Sequence, residues 1–388
     1  MLISGFAPQF RSCRVVLQSR AGVFTMADIL SLSRSQETRL MNSESDSGAS
    51  STPVSLGRRE LLAYTAAFGS AFLAGQGLIK QAEADEPKPA ARPAKPKGKR
   101  YEMKKSINLW AFPYPDKMTL KECFQLAKDA GFDGVEINFA LEKEFSAEST
   151  PAEIKGVAEL AKQVGIAISG VCSFLFWPFS MTHNDEARRK KGIELATQMV
   201  EAARILGTDN LLVVPGAVYA PWIPDFDPVP NDVCDRRARE AVRAILPAAE
   251  KAGVSINIEN IFANGFLFSP REMVEFVDSF KSKHVQIHFD TGNIMQYQFP
   301  EHWSPVLGKR IKNIHFKEWD KRTHEFNLTT FRTLLDGTTN WPAVLEELDK
   351  ISYRGYLTFE YFHPFNHYPE ALVYQSSDAL DWMLGRKG

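Results

Sequence analysis

Four side chains of the kinds that bind divalent cations or transfer protons stand at the ends of four similar stretches. The stretches are Ser255-Ile-Asn-Ile-Glu259, Gln286-Ile-His-Phe-Asp290, Asn313-Ile-His-Phe-Lys317 and Thr358-Phe-Glu360. Polar and apolar residues alternate in each, as in a strand with one apolar and one polar face. The groups that this pattern singles out are Glu259, Asp290, His315 and Glu360.

Three carboxylates and one imidazole suit a hard to borderline divalent cation, so the four groups predict a metal site. The mixed oxygen and nitrogen set makes Mn²⁺ the first choice, with Co²⁺ or Mg²⁺ as alternatives. Each residue alone could instead cap a helix or lie in the core. A polar layer just below supports the metal interpretation, because buried polar groups need partners and can orient metal ligands. That second layer consists of Asn257, His288, Asn313 and Thr358.

The remaining sequence predicts elements that could bring these groups together. Strand candidates lie at 106–112, 134–138, 166–172, 210–214, 254–259, 285–290, 311–316 and 356–360. Helices are predicted over Thr119–Ala130, from Thr150, over Asp185–Leu206, from Ser269, over Trp341–Lys350 and over Pro369–Leu384. Eight strand–helix repeats favour a (β/α)8 TIM barrel, whose active-site groups lie at the carboxyl ends of the strands. No glycine-rich phosphate turn supports nucleotide binding.

The sequence before the barrel predicts export. Residues 1–84 form a presequence in which Arg58 and Arg59 precede a weakly apolar run, as in a twin-arginine signal. Ala82-Glu-Ala84 offers a cleavage site, so the predicted location is periplasmic, or membrane-anchored if the segment is retained. Residues 85–105 are rich in Pro and Lys and predict a disordered linker, with the barrel over 106–388. Translation could start at Met1, Met26 or Met41.

The bulk composition narrows the function further. Lys and Arg outnumber Asp and Glu by 16 to 9 up to Lys105, whereas the remainder has 30 basic and 38 acidic residues. An acidic main domain does not suit binding to nucleic acid. The cysteines show no zinc or redox spacing, so buried free thiols are predicted for Cys123, Cys172 and Cys234.

Several motifs resemble the xylose isomerase-like TIM-barrel superfamily, which includes sugar phosphate isomerases/epimerases, ketose 3-epimerases and hydroxypyruvate isomerase. They are Gly131-Phe-Asp-Gly-Val-Glu136, Ala203-Arg-Ile-Leu-Gly207, Phe289-Asp-Thr-Gly-Asn293, Asn313-Ile-His-Phe-Lys317 and Tyr353-Arg-Gly-Tyr-Leu-Thr-Phe-Glu360. By this resemblance, Glu259, Asp290, His315 and Glu360 match the metal ligands. Glu259 and Glu360 also match the acid/base pair of the epimerases. Family members often form dimers or tetramers, so a homo-oligomer is an open expectation.

Further residues are candidates for contact with a sugar. Glu136 could bind a substrate hydroxyl or hydrogen-bond a metal ligand. Lys317 could stabilise developing negative charge, or form a salt bridge to Glu318 or Asp320. Trp110 and Trp177 could provide an apolar wall. Asn293 stands where ketose epimerases commonly have a substrate-contacting His, which leaves the 3-epimerase assignment less secure, and the loop histidines His183, His363 and His367 are expected to be solvated.

The sequence therefore predicts a metal-dependent sugar isomerase or epimerase that moves a proton next to a carbonyl group through an enediolate. One alternative is a lyase or dehydratase that uses the same metal site on a keto-sugar. Another is a catalytically silent sugar-binding barrel. An abasic-site endonuclease would share the barrel but would need more metal ligands and a basic groove. A neutral sugar or keto-sugar suits an exported enzyme better than a sugar phosphate.

Overall fold

The structure is a computed structural model that describes residues 17–19, 22–24, 99–262, 264–325 and 327–387. Strands Leu17–Ser19 and Gly22–Phe24 form a short antiparallel pair, which the sequence did not predict, in a unit separate from the barrel. The predicted signal segment, its cleavage site and most of the predicted linker lie outside the described residues. Among the helices in the described ranges, none is long and apolar enough to cross a membrane.

Eight parallel strands close into a barrel, as the strand–helix repeats predict. Each strand pairs with the next along the chain, and the eighth pairs with the first. The strands are β1 (Lys104–Asn108), β2 (Gly134–Asn138), β3 (Ala167–Cys172), β4 (Asn210–Val213), β5 (Ser255–Glu259), β6 (Val285–Asp290), β7 (Ile311–Phe316) and β8 (Tyr356–Phe359). Because all strands run in the same direction, their carboxyl ends lie at one end of the barrel.

A helix follows each strand and covers the outside of the barrel. The helices are α1 (Leu120–Asp129), α2 (Pro151–Val164), α3 (Glu186–Leu206), α4 (Asn231–Ala252), α5 (Pro270–Asp278), α6 (Pro300–Leu307), α7 (Trp341–Lys350) and α8 (Pro369–Met383). Capping boxes start three of them: Thr119 with Glu122, Thr150 with Glu153 and Ser269 with Glu272. Each capping side chain accepts a backbone N–H that would otherwise be unpaired at a helix start.

The structure corrects the sequence prediction at two helices and at one strand. No helix is predicted from the sequence at α4 or α6; both helices contain an internal proline and lack a side-chain hydrogen bond at the N-cap. β1 starts at Lys104, so the predicted linker extends too far, and Lys105 is buried. β1 also ends at Asn108 instead of 112, because the Asn108 side chain accepts the Trp110 N–H at 2.8 Å and starts a 3-10 turn.

Successive residues of each strand face opposite sides of the barrel wall, so the buried side chains fall into an outer and an inner set. Apolar side chains on the outer face of the barrel pack against the helices, for example Ile107, Val135, Ile258, Phe289 and Phe359. The inner face is largely polar, with Asn257, His288, Asn313, His315 and Thr358 all buried. Cys123, Cys172 and Cys234 are buried free thiols, which confirms the prediction for these three.

Candidate metal centre and active site

The four predicted ligands lie together at the carboxyl end of the barrel. Glu259 ends β5, Asp290 ends β6, His315 is the fifth residue of β7 and Glu360 follows β8. These four strands are consecutive neighbours in the sheet. Glu259 is 7% exposed and Glu360 is 3% exposed, while Asp290 and His315 are fully buried. The cluster is therefore shielded from bulk water.

His315 directs its two ring nitrogens to different partners. Nε2 lies 2.6 Å from Oε2 of Glu136. Nδ1 lies 3.3 Å from Oε1 of Glu360, 3.4 Å from Oε1 of Glu259 and 3.8 Å from Oδ2 of Asp290. A proton on Nε2, donated to Glu136, leaves the Nδ1 lone pair directed at the three carboxylates.

The donor atoms fit a divalent cation. Ligand atoms from Glu259, Asp290 and His315 lie within 4.8 Å of one another. Atoms bound about 2.1 Å from one ion lie roughly 3 to 4 Å apart, so the spacing suits a shared ion. His315 Nδ1 is buried and lacks a hydrogen bond within the described part of the chain. Asp290 Oδ2 and Glu360 Oε2 are buried as well, and each forms an ion pair with Lys317.

Glu136 forms a hydrogen bond with the candidate metal ligand His315. The residue is fully buried in β2. Its Oε2 accepts from Asn108 Nδ2 at 2.7 Å as well as from His315, and its Oε1 accepts from Asn313 Nδ2 at 3.4 Å. Of the two roles predicted for Glu136, the structure supports the hydrogen bond to a ligand.

A second group of potential ligands lies deeper, formed by Glu136, His288 and His315. Its Glu136 oxygens already accept three hydrogen bonds, one of them from His315 Nε2. Neither ring nitrogen of His288 has a hydrogen-bond partner among the described residues. The His288 ring packs edge-on against His315 with centroids 4.1 Å apart. The upper group is therefore the better candidate for a metal site, and the His288 ring packs against the ring of His315.

Lys317 reaches into the carboxylate cluster. Its ammonium lies 3.0 Å from Asp290 Oδ2 and is paired with Glu360. It does not pair with Glu318 or Asp320, the alternative partners weighed from the sequence. Glu318 accepts from Trp341 Nε1 at 2.6 Å and from backbone groups of its own loop, and Asp320 pairs with arginines.

Asn293 is held in place by its neighbours. Its Oδ1 accepts from Lys317 Nζ at 3.1 Å, its Nδ2 donates to the Asn260 carbonyl at 3.1 Å, and its backbone N–H donates to Asp290 Oδ1 at 2.8 Å. This amide joins the ends of β5, β6 and β7. It supports Lys317, a role the sequence did not suggest.

Burial and neighbouring charges separate the pKa values of the carboxyl groups. Burial raises the pKa of Glu259 to about 7, although the His315 ring opposes it. Burial also raises the pKa of Glu360. For Asp290, burial alone would raise the pKa, but the Lys317 ammonium and His315 lower it to about 2. The direction of these shifts therefore favours Glu259 and Glu360 over Asp290 as groups that exchange a proton.

The sequence predicts Asn257 in the layer just below the candidate ligands, but its hydrogen bonds go to other residues. Its side chain accepts from Ser255 Oγ at 2.7 Å and donates to Asn210, so both hydrogen bonds lie deeper in the barrel. Sequence reasoning missed Asn108 and Asn210, although β1 and β4 place these polar residues on the inner face. The alternation of Ser106 and Asn108 in β1 could have identified Asn108.

The predicted aromatic wall consists of two pairs of partly buried rings. Trp110 packs against Phe362 with centroids 5.1 Å apart, and Trp177 against Trp222 at the same separation. Both pairs come from loops at the carboxyl ends of strands. His363 and His367 are exposed, as expected.

His183, in contrast, is buried, so its predicted exposure is wrong. Its Nδ1 accepts from the Asp185 N–H at 2.8 Å, and its ring packs edge-on against Phe226.

Comparison with known proteins agrees with this architecture. A family model for the xylose isomerase-like TIM barrel matches residues 124–383. The L-ribulose-5-phosphate 3-epimerase UlaE of Escherichia coli O1:K1 / APEC is 22% identical over 284 residues, covering 70% of this chain and 93% of that protein. A solved L-ribulose 3-epimerase has a TM-score of 0.60 at 18% identity, covering 73% of this chain and 96% of its own. The 3-keto-D-glucoside 4-epimerase YcjR of E. coli has a TM-score of 0.57 at 19% identity, with 72% and 98% covered.

Proposed function

Because the chain belongs to the xylose isomerase-like TIM barrel family, we propose that it is a metal-dependent sugar epimerase or isomerase. It moves the proton on the carbon next to a carbonyl group. The observation that carries the proposal is the buried group of Glu259, Asp290 and His315 beside Glu360. Three similar proteins are named as epimerases of L-ribulose 5-phosphate, L-ribulose and a 3-keto-D-glucoside, which supports the same reaction type.

Glu259, Asp290 and Glu360 together with His315 Nδ1 would hold the cation, with Mn²⁺ as first choice. When bound, such a cation acts as a Lewis acid that makes the proton next to a carbonyl more acidic. Glu136 keeps the proton of His315 on Nε2 through their 2.6 Å hydrogen bond, so Nδ1 stays available as a ligand.

Glu259 and Glu360 divide the proton transfer between them. Their Oε1 atoms lie 3.4 and 3.3 Å from the same nitrogen of His315, and they come from strands on opposite sides of β6 and β7. In an epimerisation one carboxylate removes the proton from carbon, and the carboxylic acid opposite returns a proton to the other face. The pair then resets by exchanging protons with water. The Lys317 ammonium, which pairs with Asp290 and Glu360, stabilises the negative charge that develops on the substrate through its own positive charge.

The substrate we propose is a neutral ketose or keto-sugar. The aromatic pairs Trp110–Phe362 and Trp177–Trp222 would pack against the apolar faces of the sugar. Arg188, Arg189 and Arg237, which could have attracted a phosphate, donate to main-chain carbonyls of neighbouring loops.

Proton exchange in deuterium oxide tests the proposal. Ketoses and keto-sugars are incubated with the protein and Mn²⁺, Co²⁺ or Mg²⁺, and NMR after metal removal locates deuterium and identifies the product. We expect deuterium at one carbon next to the carbonyl, together with an epimer or isomer. Loss of a β-substituent would instead identify a lyase.

Substitution of the acid/base pair tests the residue roles. Glu259→Gln and Glu360→Gln should each lower turnover by about 10²-fold or more, since an amide cannot exchange the proton. Glu275→Gln, which changes an exposed carboxyl on α5, serves as the control. Turnover like that of the wild type in either site variant would rule out the proposed mechanism.

A further inference from the structure

The loop after β6 and the end of β7 are fitted to each other around Lys317. Thr291 Oγ1 accepts the Lys317 backbone N–H at 2.9 Å and donates to the Lys317 carbonyl at 3.0 Å. The Thr291 backbone N–H also donates to the His315 carbonyl at 3.0 Å. These bonds fix the backbone position from which the lysine side chain extends.

Gly292 provides the space for the aliphatic part of that side chain. A Cβ atom at this position would lie 2.8 Å from Lys317 Cγ and 3.0 Å from its Cβ and Cδ. The 2.8 Å distance is shorter than unbonded carbon atoms tolerate and the 3.0 Å distances are tight, so Lys317 keeps this path only when glycine follows Thr291.

The ammonium group of Lys317 also has several contacts that fix its position. Asn293 Oδ1 accepts from Nζ at 3.1 Å. The ring of Phe331 lies 4.6 Å from Nζ and that of Phe362 lies 5.1 Å from it, both within the range of a cation–π contact. The Lys317 residue is 3% exposed. These contacts form a buried binding site for the ammonium group beside Asp290 and Glu360.

We propose that Thr291, Gly292 and Asn293 clamp Lys317 as a permanent cation of the metal centre, which weakens divalent-metal binding and sets the charge of the loaded site. This inference rests on the proposed function, because it assumes that Asp290 and Glu360 are metal ligands. Lys317 and a bound metal ion would share both carboxylates. Lys317 pairs with Asp290 Oδ2, which is a candidate donor atom for the metal, and with the Glu360 carboxylate. A divalent cation must approach a charge of the same sign that cannot withdraw.

The charges explain what the clamp contributes. When ionised, Glu259, Asp290 and Glu360 with the Lys317 ammonium carry a net charge of −2. A divalent ion then leaves the group neutral, whereas without the lysine it would remain negative. Negative charge that develops on a bound sugar oxygen is not opposed by surplus carboxylate charge. We therefore expect the ammonium group to lower the affinity of the site for a divalent metal ion.

Metal affinity, measured without turnover, tests the inference. Protein stripped with a chelator is titrated calorimetrically with Mn²⁺ and with Mg²⁺ at pH 8. Lys317→Met should bind each ion at least about tenfold more tightly than the wild type, equivalent to about 1.4 kcal/mol. Lys312→Met removes a partly exposed lysine from the amino end of the same strand, where it pairs with Asp209, and should leave the affinity unchanged.

Gly292→Ala provides a second test in which the lysine charge remains in the chain. The added methyl group must displace the Lys317 stem, so we again expect tighter metal binding. Circular dichroism establishes that each variant is folded, and either folded variant is sufficient for a decision. Unchanged or weaker affinity in a folded variant, with wild-type protein that binds metal, overturns the clamp but leaves the proposed function standing. Wild-type protein that binds neither ion overturns both.

Discussion

At the scale of single residues, the hydrogen bond to Glu136 and the nearby carboxylates determine what the His315 ring can bind. Glu136 receives hydrogen bonds from His315, Asn108 and Asn313, and so presents Nδ1 of His315 to the three carboxylates. The histidine ring is further fixed by the edge of His288. Burial lowers the pKa of His288 to about 3, so this neighbour stays neutral and adds no charge beneath the metal ligands.

Glu136→Gln should weaken metal binding by about 10- to 100-fold. Three donors converge on the carboxylate, and an amide has a single acceptor oxygen, so one donor would face the new NH₂ group. Calorimetric titration of chelator-treated protein measures the effect, with Glu275→Gln as the control. Metal affinity equal to that of the wild type would show that Glu136 does not orient His315.

At the scale of elements, the long connection from β7 to α7 carries part of the site. It contains two short antiparallel strands, Glu318–Trp319 and Phe331–Arg332, and the latter brings the Phe331 ring to Lys317. Trp319 and Phe331 pack with Met295 in a small core of their own. The buried carboxylate of Glu318 organises this segment, because it accepts from Trp341 Nε1, Thr339 Oγ1 and the backbone N–H of Leu335.

Glu318→Gln should loosen this connection and lower the free energy of unfolding by about 2 kcal/mol, since charged hydrogen bonds in a buried place are lost. Urea denaturation measures the global effect, and hydrogen exchange over residues 318–341 measures the local one. Glu325→Gln, an exposed change in the same connection, should have no measurable effect. Equal exchange in the wild type and in Glu318→Gln would contradict the role given to Glu318.

At the scale of the whole barrel, the two ends of its described sequence meet and close it. β8 pairs with β1, and the Tyr101 N–H donates to the Leu384 carbonyl at 3.1 Å. Lys105, which is 2% exposed, extends from β1 to α8. There its ammonium lies 2.7 Å from Asp381 Oδ1 and 2.8 Å from Ser377 Oγ. A buried pair of this kind joins the first strand to the last helix.

Lys105→Ala should lower the free energy of unfolding by about 2 kcal/mol, because the partly buried Asp381 loses its partner at 2.7 Å and is left with Arg386 at 3.9 Å. Thermal and urea denaturation followed by circular dichroism measure the change. Lys387→Ala removes an exposed lysine that follows α8 and pairs with Asp378 of that helix, and should cause no measurable change. Equal losses in the two variants would mean that burial of the Lys105 pair is unimportant.

Local patterns in the sequence were enough for the architecture and for the candidate ligands. Strand alternation followed by capped helices predicted the eight repeats, because each repeat buries its apolar face by the same local rule. The positions of Glu259, Asp290, His315 and Glu360 at strand ends followed from period two. The helices α4 and α6 were missed because Pro247 and Pro305 oppose the local signal, and packing against the barrel outweighs it.

Tertiary structure decided how those residues use their polar atoms. Nothing in the local sequence distinguishes Nδ1 from Nε2 of His315, since the choice depends on Glu136, 179 residues away. The partners of Lys317 were equally open, because Glu318 and Asp320 are close in sequence while Asp290 and Glu360 are close in space. Side-chain pairing depends on which strand ends the closed barrel makes neighbours. The sequence by itself therefore determined the barrel and its ligand types, and the tertiary structure determined which charges share the site.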